Sequence, residues 1–506
     1  MLLLFQIGKR RMINLRGMNR VVVVGGGTAG WFAALQLRQL FSPSVEVMVI
    51  SAPEIPIVGV GEGGVLNLLS VLHDLNIDLK DFIEQTGSTL KLGFRYERWR
   101  TGKQEDYYYH LFPLPTPDFA WNEFGFNPYL SGLFNHGIDV SRYMASYEFS
   151  EERKPFQEVL QILLEGKNNF GASLHFDTFR VGQYLKKIAL ARGIIHVEQK
   201  IENFVFNPTT ENVSAIQCVN HEISCDFVID ASGFSRLLIG KKYQSQWCSF
   251  SDTLPMNRAL PFHLPHKNKI ELVTRATAMS SGWVWQIPLQ ERIGAGYVYH
   301  DQFITDQEAQ LEVENWLGHS INPVKPIAFE AGYFQQVWIK NVVGIGLASG
   351  FIEPLEATSI GQMLSQLQLL VSFIRENHGV ISQQNIDFYN QQNAQYWEGI
   401  RDFIRMHYDT GRSDTPFWKY MLNVPRSESY QELKKCWVHR TPRDIDFVEH
   451  SMGGMSMFSA ASWFAVGAGV GVIKPEATSA ELYALSTEKK QKLAKYLQQI
   501  KQQLFL

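Results

Sequence analysis

The glycine run near the start of the chain carries the most definite chemistry. Gly25-Gly26-Gly27-Thr28-Ala29-Gly30 follows Val21-Val22-Val23-Val24 at once and leads into Trp31-Phe32-Ala33-Ala34-Leu35. Residues without a Cβ let the backbone approach a pyrophosphate, and the N-terminus of the following helix offers amide N–H groups and a positive dipole end. Gly25, Gly27 and Gly30 meet those needs, with Thr28 and Ala29 between the last two. A GxGxxG spacing alone is weak evidence, but between a β-branched run and a helical pattern it predicts a dinucleotide site. An acidic residue is expected at the end of the second strand, to hold ribose hydroxyls. The chain has Ser51 there, with Glu54 three residues on. Thr358 and Ser359 open a stretch with helical apolar spacing up to Arg375, and a helix N-terminus suits a small anion. Trp283 and Trp285 flank Val284, so in a strand both indoles face one side. Lys91 lies among Leu90, Leu92 and Phe94, and a lysine buried in such company loses basicity.

These residues need elements to hold them. Val21–Val24 reads as a buried parallel strand, Trp31–Leu37 as a helix and Val45–Ile50 as a second strand, giving one βαβ unit. Phe227-Val228-Ile229-Asp230 and Val342-Val343-Gly344 are further strands that end in glycine turns. Their distance along the chain requires a nucleotide domain assembled from discontinuous segments. The predicted fold class is therefore α/β, a Rossmann-type dinucleotide-binding domain over 18–390, with insertions near 100–165. A mainly helical lobe over 391–506 completes the substrate pocket. Residues 1–17 read as a disordered extension or an upstream start.

Composition excludes several classes. Lys and Arg number 47 against 50 Asp and Glu, so the net charge of −3 leaves no electrostatic footprint for nucleic acid. Charged residues are only 19% and aromatics 13%, which argues for a large packed core and against disorder. The opening apolar run, Met1 to Ile7, is too short to span a bilayer. Four cysteines without a CxxC pair fit a reduced, cytoplasmic protein, although Cys218 and Cys225 are close enough in sequence to meet across a hairpin. No metal site is expected, and a homo-oligomer is left open.

Several segments together resemble the flavin-dependent halogenases of the tryptophan halogenase family. They are the glycine loop with Trp31, Gly59-Val60-Gly61-Glu62-Gly63, Thr89-Leu90-Lys91-Leu92-Gly93-Phe94 and Gly282-Trp283-Val284-Trp285-Gln286-Ile287-Pro288. Gly350-Phe351-Ile352-Glu353-Pro354-Leu355-Glu356-Ala357-Thr358-Ser359 and Asp414-Thr415-Pro416-Phe417-Trp418 complete the set, in order from Asn19 to about Trp418. The resemblance implies FAD in its reduced form, O2 and a halide ion as co-reactants, with a separate NAD(P)H-dependent flavin reductase as partner. It makes 18–390 an FAD-binding domain and its insertions near 100–165 substrate-site insertions. Gly61, Glu62, Gly350 and Phe351 would join Gly25, Gly27, Thr28, Ala29, Gly30 and Ser51 at the cofactor. Hypohalous acid formed at the flavin would travel through the protein to Lys91, which would polarise it or carry halogen as a haloamine. Glu356 would be the active-site carboxylate, and Glu353 reads as an ordinary helix-start carboxylate. Thr358 and Ser359 would bind halide through backbone N–H groups, and Ala357 stands where the family usually has Ser. Trp283 and Trp285 would fill space near the flavin and keep substrate from it.

His110 and Phe112 resemble the residues that sandwich an indole, and Trp463 and Phe464 would complete the pocket. No paired-tyrosine segment or clamp carboxylate is recognisable; Ser451-Met452-Gly453-Gly454-Met455-Ser456-Met457-Phe458 stands there instead. The expectation is therefore halogenation of an indole or phenol without the amino-acid head. The competing expectation is a flavin-dependent aromatic monooxygenase or epoxidase, against which Lys91 and the paired tryptophans argue.

Overall fold

The computed structural model describes residues 12–52, 61–113, 121–167, 169–266 and 269–504. Residues 1–11, Glu54, Gly59 and Val60 lie outside them. The strand Arg20–Val24 runs through the middle of a six-stranded sheet. Across that sheet the order is Trp338–Ile339, Val342–Gly344, Phe227–Asp230, Arg20–Val24, Glu46–Ser51 and Ile195–Glu198. Every pairing except that of the first edge strand is parallel. Both faces are covered, which is why Val21 to Val24 could be an unbroken β-branched run. The strands come from four separate stretches of the chain, as predicted for a discontinuous nucleotide domain.

A second sheet of seven strands forms the wall beside this domain. At its centre Gly282–Pro288 pairs antiparallel with Ile293–Tyr299 and with Thr274–Ala278. Alternation along Gly282–Pro288 sends Trp283 and Trp285 into the main core, while Val284 joins a separate cluster with Phe262 and Tyr297 behind the sheet. That smaller cluster is covered by the helix Asp306–Leu317 through Ala309 and Val313.

Lys91 closes a short strand, Thr89–Lys91, which pairs with Ser173–Phe176 in a three-stranded sheet. Two residues later the chain enters the large sheet as Gly93–Glu97, beside Tyr107–Leu111. Gly93 makes that passage possible: its φ is +146°, and a Cβ there would sit 2.3 Å from the His110 carbonyl oxygen.

The C-terminal part is helical. Thr358–Glu376 and Gln383–His407 are its longest helices before the terminal Thr487–Leu504. The boundary expected at 390/391 falls inside Gln383–His407, whose Tyr389, Trp397 and Phe403 belong to the same apolar cluster as Val21 and Trp463. One continuous core therefore joins the two expected domains. The extension expected over 1–17 is corrected for its last part. Met12–Asn14 pairs antiparallel with Val380–Ser382, and Leu15 is buried. Three residues are too short a run to show strand periodicity, and only the distant partner reveals it. All four cysteines are free, including Cys218 and Cys225. Among the described residues no helix is long and apolar enough to cross a membrane.

Candidate active site

The glycine turn opens onto a cavity of about 830 Å³. Gly25 adopts φ +117°, and a Cβ there would lie 2.3 Å from the Ala231 carbonyl oxygen, so the turn excludes any larger residue. At Gly27 a Cβ would meet nothing within 4 Å, because that side of the turn faces the cavity. Thr28, Ala29, Ser51, Gly61, Glu62 and Phe351 line it as well. Two expected cofactor residues are placed differently. Gly30 packs the helix against Gly25 O, and Gly350 backs onto the Trp397 ring. Both serve close packing behind the cavity. The cradle fits a dinucleotide in shape and in its backbone N–H groups.

The ribose end is more informative than the sequence. Ser51 Oγ lies 2.9 Å from His196 Nε2. In the parallel register Ser51 faces Glu198 on the edge strand, and Glu198 also lines the cavity. An acidic residue thus stands on the neighbouring strand, where its carboxylate pairs with Lys186, another residue of the cavity lining. No local signal marks Glu198, since its relation to Ser51 exists only through strand pairing.

At the other end of the cavity, Trp285, Pro354, Ala357 and Ser359 form the wall. Ala357 precedes the helix Thr358–Glu376 with φ +51°, a left-handed conformation that costs an alanine of order 1–3 kcal/mol. Thr358 and Ser359 open that helix, where backbone N–H groups lack intrahelical partners. Thr358 is fully buried, and its Oγ1 has no hydrogen-bond partner among the described residues. Glu62, in the same cavity, is pushed by burial up to about 7.

Trp283 has turned from the cavity to a carboxylate. Its Nε1 donates to Glu353 Oε2 at 2.8 Å, and Tyr408 OH donates to the same oxygen at 2.7 Å. Glu353 is fully buried and its pKa is raised by burial to about 7, against the pull of those two donors. The reading of Glu353 as an ordinary helix-start carboxylate is therefore corrected: long-range packing encloses it.

Beyond the cavity-lining residues, a closed chamber of packed side chains surrounds Lys91. Lys91 is 0% exposed, and its Nζ donates to Gly64 O at 3.1 Å and stands 3.8 Å from the Phe94 ring centroid. Phe112 is the next ring, 5.5 Å away. A Cβ on Gly63 would lie 2.7 Å from Nζ, so the glycine makes room for the amine. Burial lowers the Lys91 pKa to about 7, while the charge of Glu356 works in the opposite direction. The nearby His175 is held well below its ordinary value by burial and by Lys91.

Glu356 is also 0% exposed, yet it stays ionised. Burial alone would raise its pKa, but His110 and His407 bring it down to about 2. His110 Nδ1 lies 2.9 Å from the carboxylate, His407 Nε2 lies 3.0 Å away, and Tyr96 OH donates at 2.6 Å. His110 thus reaches the chamber as a partner of Glu356, with Phe94 stacked beside it at 6.0 Å. Its Nε2 has no hydrogen-bond partner among the described residues. Tyr96 and His407 were not foreseen, because the 3.6-residue pattern of Gln383–His407 shows only a buried face. Trp463 joins the chamber edge-on to Phe403 at 4.8 Å. Phe464 turns to Phe134 and to a small apolar cavity with Leu130 and Met144.

The site thus has two parts, a cavity shaped for a dinucleotide and, outside its lining, a buried amine and a histidine-clamped carboxylate. Residues 20–486 match the tryptophan halogenase family. The chain belongs to that family and is in class a flavin-dependent halogenase. It is 37% identical over 492 residues to an uncharacterized protein of Sinorhizobium fredii, covering 97% of each chain. It is 30% identical to the tryptophan 7-halogenase RebH of Lentzea aerocolonigenes, over 82% of this chain and 81% of that one. A flavin-dependent halogenase from Xanthomonas campestris superposes with a TM-score of 0.83 at 27% identity, over 96% of both chains.

Proposed function

We propose that this enzyme makes hypohalous acid at a bound flavin and uses it, beside Lys91, to halogenate an electron-rich aromatic such as an indole or phenol. The observation that carries the reading is the fully buried amine of Lys91, within reach of the charge of an ionised Glu356 and set behind cavity-lining residues that include Gly63, Trp285, Pro354 and Ala357. Reduced FAD, with O2, supplies the oxidising equivalents that convert halide into hypohalous acid. The glycine turn, Ser51 and Glu198 would hold its dinucleotide part. The N–H groups of Thr358 and Ser359 would hold chloride, bromide or iodide. A separate flavin reductase would deliver the cofactor reduced.

In the chamber, Lys91 has two forms near neutrality. As ammonium it donates a hydrogen bond to the oxygen of hypohalous acid and makes the halogen more electrophilic. As amine it takes the halogen, releasing water and giving a haloamine. Surrounding rings exclude bulk water, which strengthens either interaction. Attack on an arene builds positive charge on its ring, which the fixed charge of Glu356 stabilises. The same carboxylate then accepts the ring proton. With a pKa of about 2 it does not keep that proton but returns it to solvent. No carboxylate or cation among the residues expected at the pocket stands ready for an amino-acid head, so free tryptophan is not the favoured substrate.

The test is incubation with FAD, a flavin reductase, O2 and bromide over a panel of indoles and phenols. Products bearing the bromine isotope doublet are expected in the mass spectrum. One added oxygen and no bromine would replace this reading with that of an aromatic monooxygenase or epoxidase.

A further inference from the structure

Lys91 is placed by its strand more than by bonds to its amine. An ammonium carries three N–H donors, yet among the described residues Nζ has one acceptor, Gly64 O. Phe94 offers it a ring face and no acceptor atom. The strand itself, Thr89–Lys91, is three residues long, and its partner Ser173–Phe176 sets Thr89 opposite His175 and Lys91 opposite Ser173. So short a ladder has few backbone bonds, and side-chain ties must decide where the lysine stands.

His175 supplies such a tie. It is fully buried, and its ring bridges hydroxyls from two different sheets: Nδ1 lies 3.3 Å from Thr89 Oγ1, and Nε2 lies 2.9 Å from Thr274 Oγ1. The hydroxyls fix the protons. Thr89 has one hydroxyl hydrogen and donates it to Pro288 O at 2.6 Å, so toward His175 it can only accept. Nδ1 therefore carries the ring proton. A bond with the Leu90 backbone, which favours a proton on this ring, agrees with that. Burial and the charge of Lys91 keep the imidazole neutral, so Nε2 is bare and accepts from the Thr274 hydroxyl. The chain of donors thus runs in one direction, from Thr274 through His175 and Thr89 to Pro288. It begins at a residue lining the dinucleotide cavity and ends on the last residue of the strand that carries Trp283 and Trp285. Thr274 is also the register partner of Phe94, the ring beside the amine.

We propose that His175 is a positioning residue for Lys91: in its neutral form, protonated at Nδ1, it ties the lysine strand to the seven-stranded sheet and holds the amine at one fixed place behind the cavity lining. This rests on the halogenase reading, in which hypohalous acid must meet the amine before it escapes. A chain whose hydrogens all point one way cannot exchange donors for acceptors, so it keeps a single geometry. His175 itself gains and loses no proton in the reaction. Its contribution is distance, and a misplacement of about 1 Å can cost on the order of 10²-fold in rate.

The test compares the full-length protein with His175→Leu, His175→Asn, Thr89→Val and the double variant His175→Leu with Thr89→Val. Circular dichroism confirms that each is folded, and if His175→Leu does not fold, Thr89→Val carries the same expectation alone. The first readout is NMR of lysine isotopically labelled at Cε, with the Lys91 signal assigned by its absence in Lys91→Met. In His175→Leu and Thr89→Val its titration midpoint is expected to rise from about 7 toward the ordinary 10.5, as water reaches a loosened amine. His175→Asn, whose amide N–H takes the place of Nδ1–H, should hold the midpoint of the unaltered protein. The second readout is brominated indole formed per reduced flavin in a single turnover. It should fall ~10-fold or more in His175→Leu and in Thr89→Val, and no further in the double variant, because both changes break one chain. His175→Asn should restore most of it. A purely structural His175 would lower the melting temperature and leave both readouts unmoved. Either readout unmoved in folded His175→Leu or Thr89→Val overturns the proposal, as do additive losses in the double variant. Bromination by the unaltered enzyme is scored separately: its absence would remove the halogenase reading, while the lysine titration would still decide what holds the amine.

Discussion

The dinucleotide cavity and the lysine chamber sit on opposite sides of one wall and are built in opposite ways. The cavity is formed by backbone: a glycine turn with φ +117° at Gly25, a helix N-terminus at Thr28, and the ends of parallel strands. The chamber is formed by side chains that converge from five separate segments around Lys91, Tyr96, His110, Glu356 and Phe403. One site needs open space and amide donors. The other needs a dry enclosure in which a lysine falls to about 7 while a carboxylate stays near 2. Desolvation opposes the charge on both groups, and only the carboxylate has partners strong enough to overcome it. Two oppositely charged groups in one buried space therefore keep different freedom to exchange protons at neutral pH.

Damage to one side should spare the other, and that separation can be broken experimentally. Lys91→Ala is expected to lower halogenated product by at least ~10³-fold while oxidation of reduced flavin continues. Normal product in that variant would end the role given to the lysine. Glu356→Gln should lower turnover on the order of 10²-fold with an unchanged FAD dissociation constant, because the amide keeps the shape but loses the charge that stabilises the arene cation. Turnover at the level of the unaltered enzyme would remove its assignment.

Gly25→Ala tests the other side. A Cβ 2.3 Å from Ala231 O, at a φ that alanine rarely adopts, should cost about 1–3 kcal/mol and weaken FAD roughly tenfold or more. Titration of FAD fluorescence quenching would read this directly, and full affinity would mean that the turn is not the cradle. Glu198→Gln should have a smaller effect, a few-fold loss of FAD affinity with no loss of fold, since Ser51 and its partner His196 remain.

The smallest effect is on stability. The Lys91 pKa is lower in the folded chain than its ordinary value of 10.5, so the folded state pays to hold the ammonium. That penalty is complete below about pH 7 and shrinks as pH rises toward the unfolded value. Lys91→Met should therefore raise the melting temperature by a few degrees at pH 6 and by less at pH 9. Glu356 and His175 face the same amine. Each should be retained in the comparison, and a gain that grows with pH would contradict the buried-amine picture.

How far these sites were legible follows from the same contrast. The glycine turn, the alternation of Trp283, Val284 and Trp285 and the helix after Thr358 are local patterns, and the structure reproduces each. Lys91 and Glu356 stood out through their motifs. The partners of Glu356, Tyr96 and His407, did not, because nothing in the spacing of 311 residues between positions 96 and 407 marks their meeting. Glu353 was misread for the same reason: its burial comes from Trp283 and Tyr408, each far away in the chain.

The amino-acid order by itself determined where backbone must turn without a Cβ, which stretches form strands and helices, and which residue types stand ready for redox and acid–base chemistry. These depend on sterics and periodicity over a few neighbours. Only the tertiary structure decided that Glu198 comes to lie beside Ser51 at the cavity, that Glu353 is enclosed, and that His110 and His407 hold Glu356 ionised within reach of a weakly basic Lys91. Burial and charge pairing are properties of surroundings, and those surroundings are assembled from segments that know nothing of one another until the core closes.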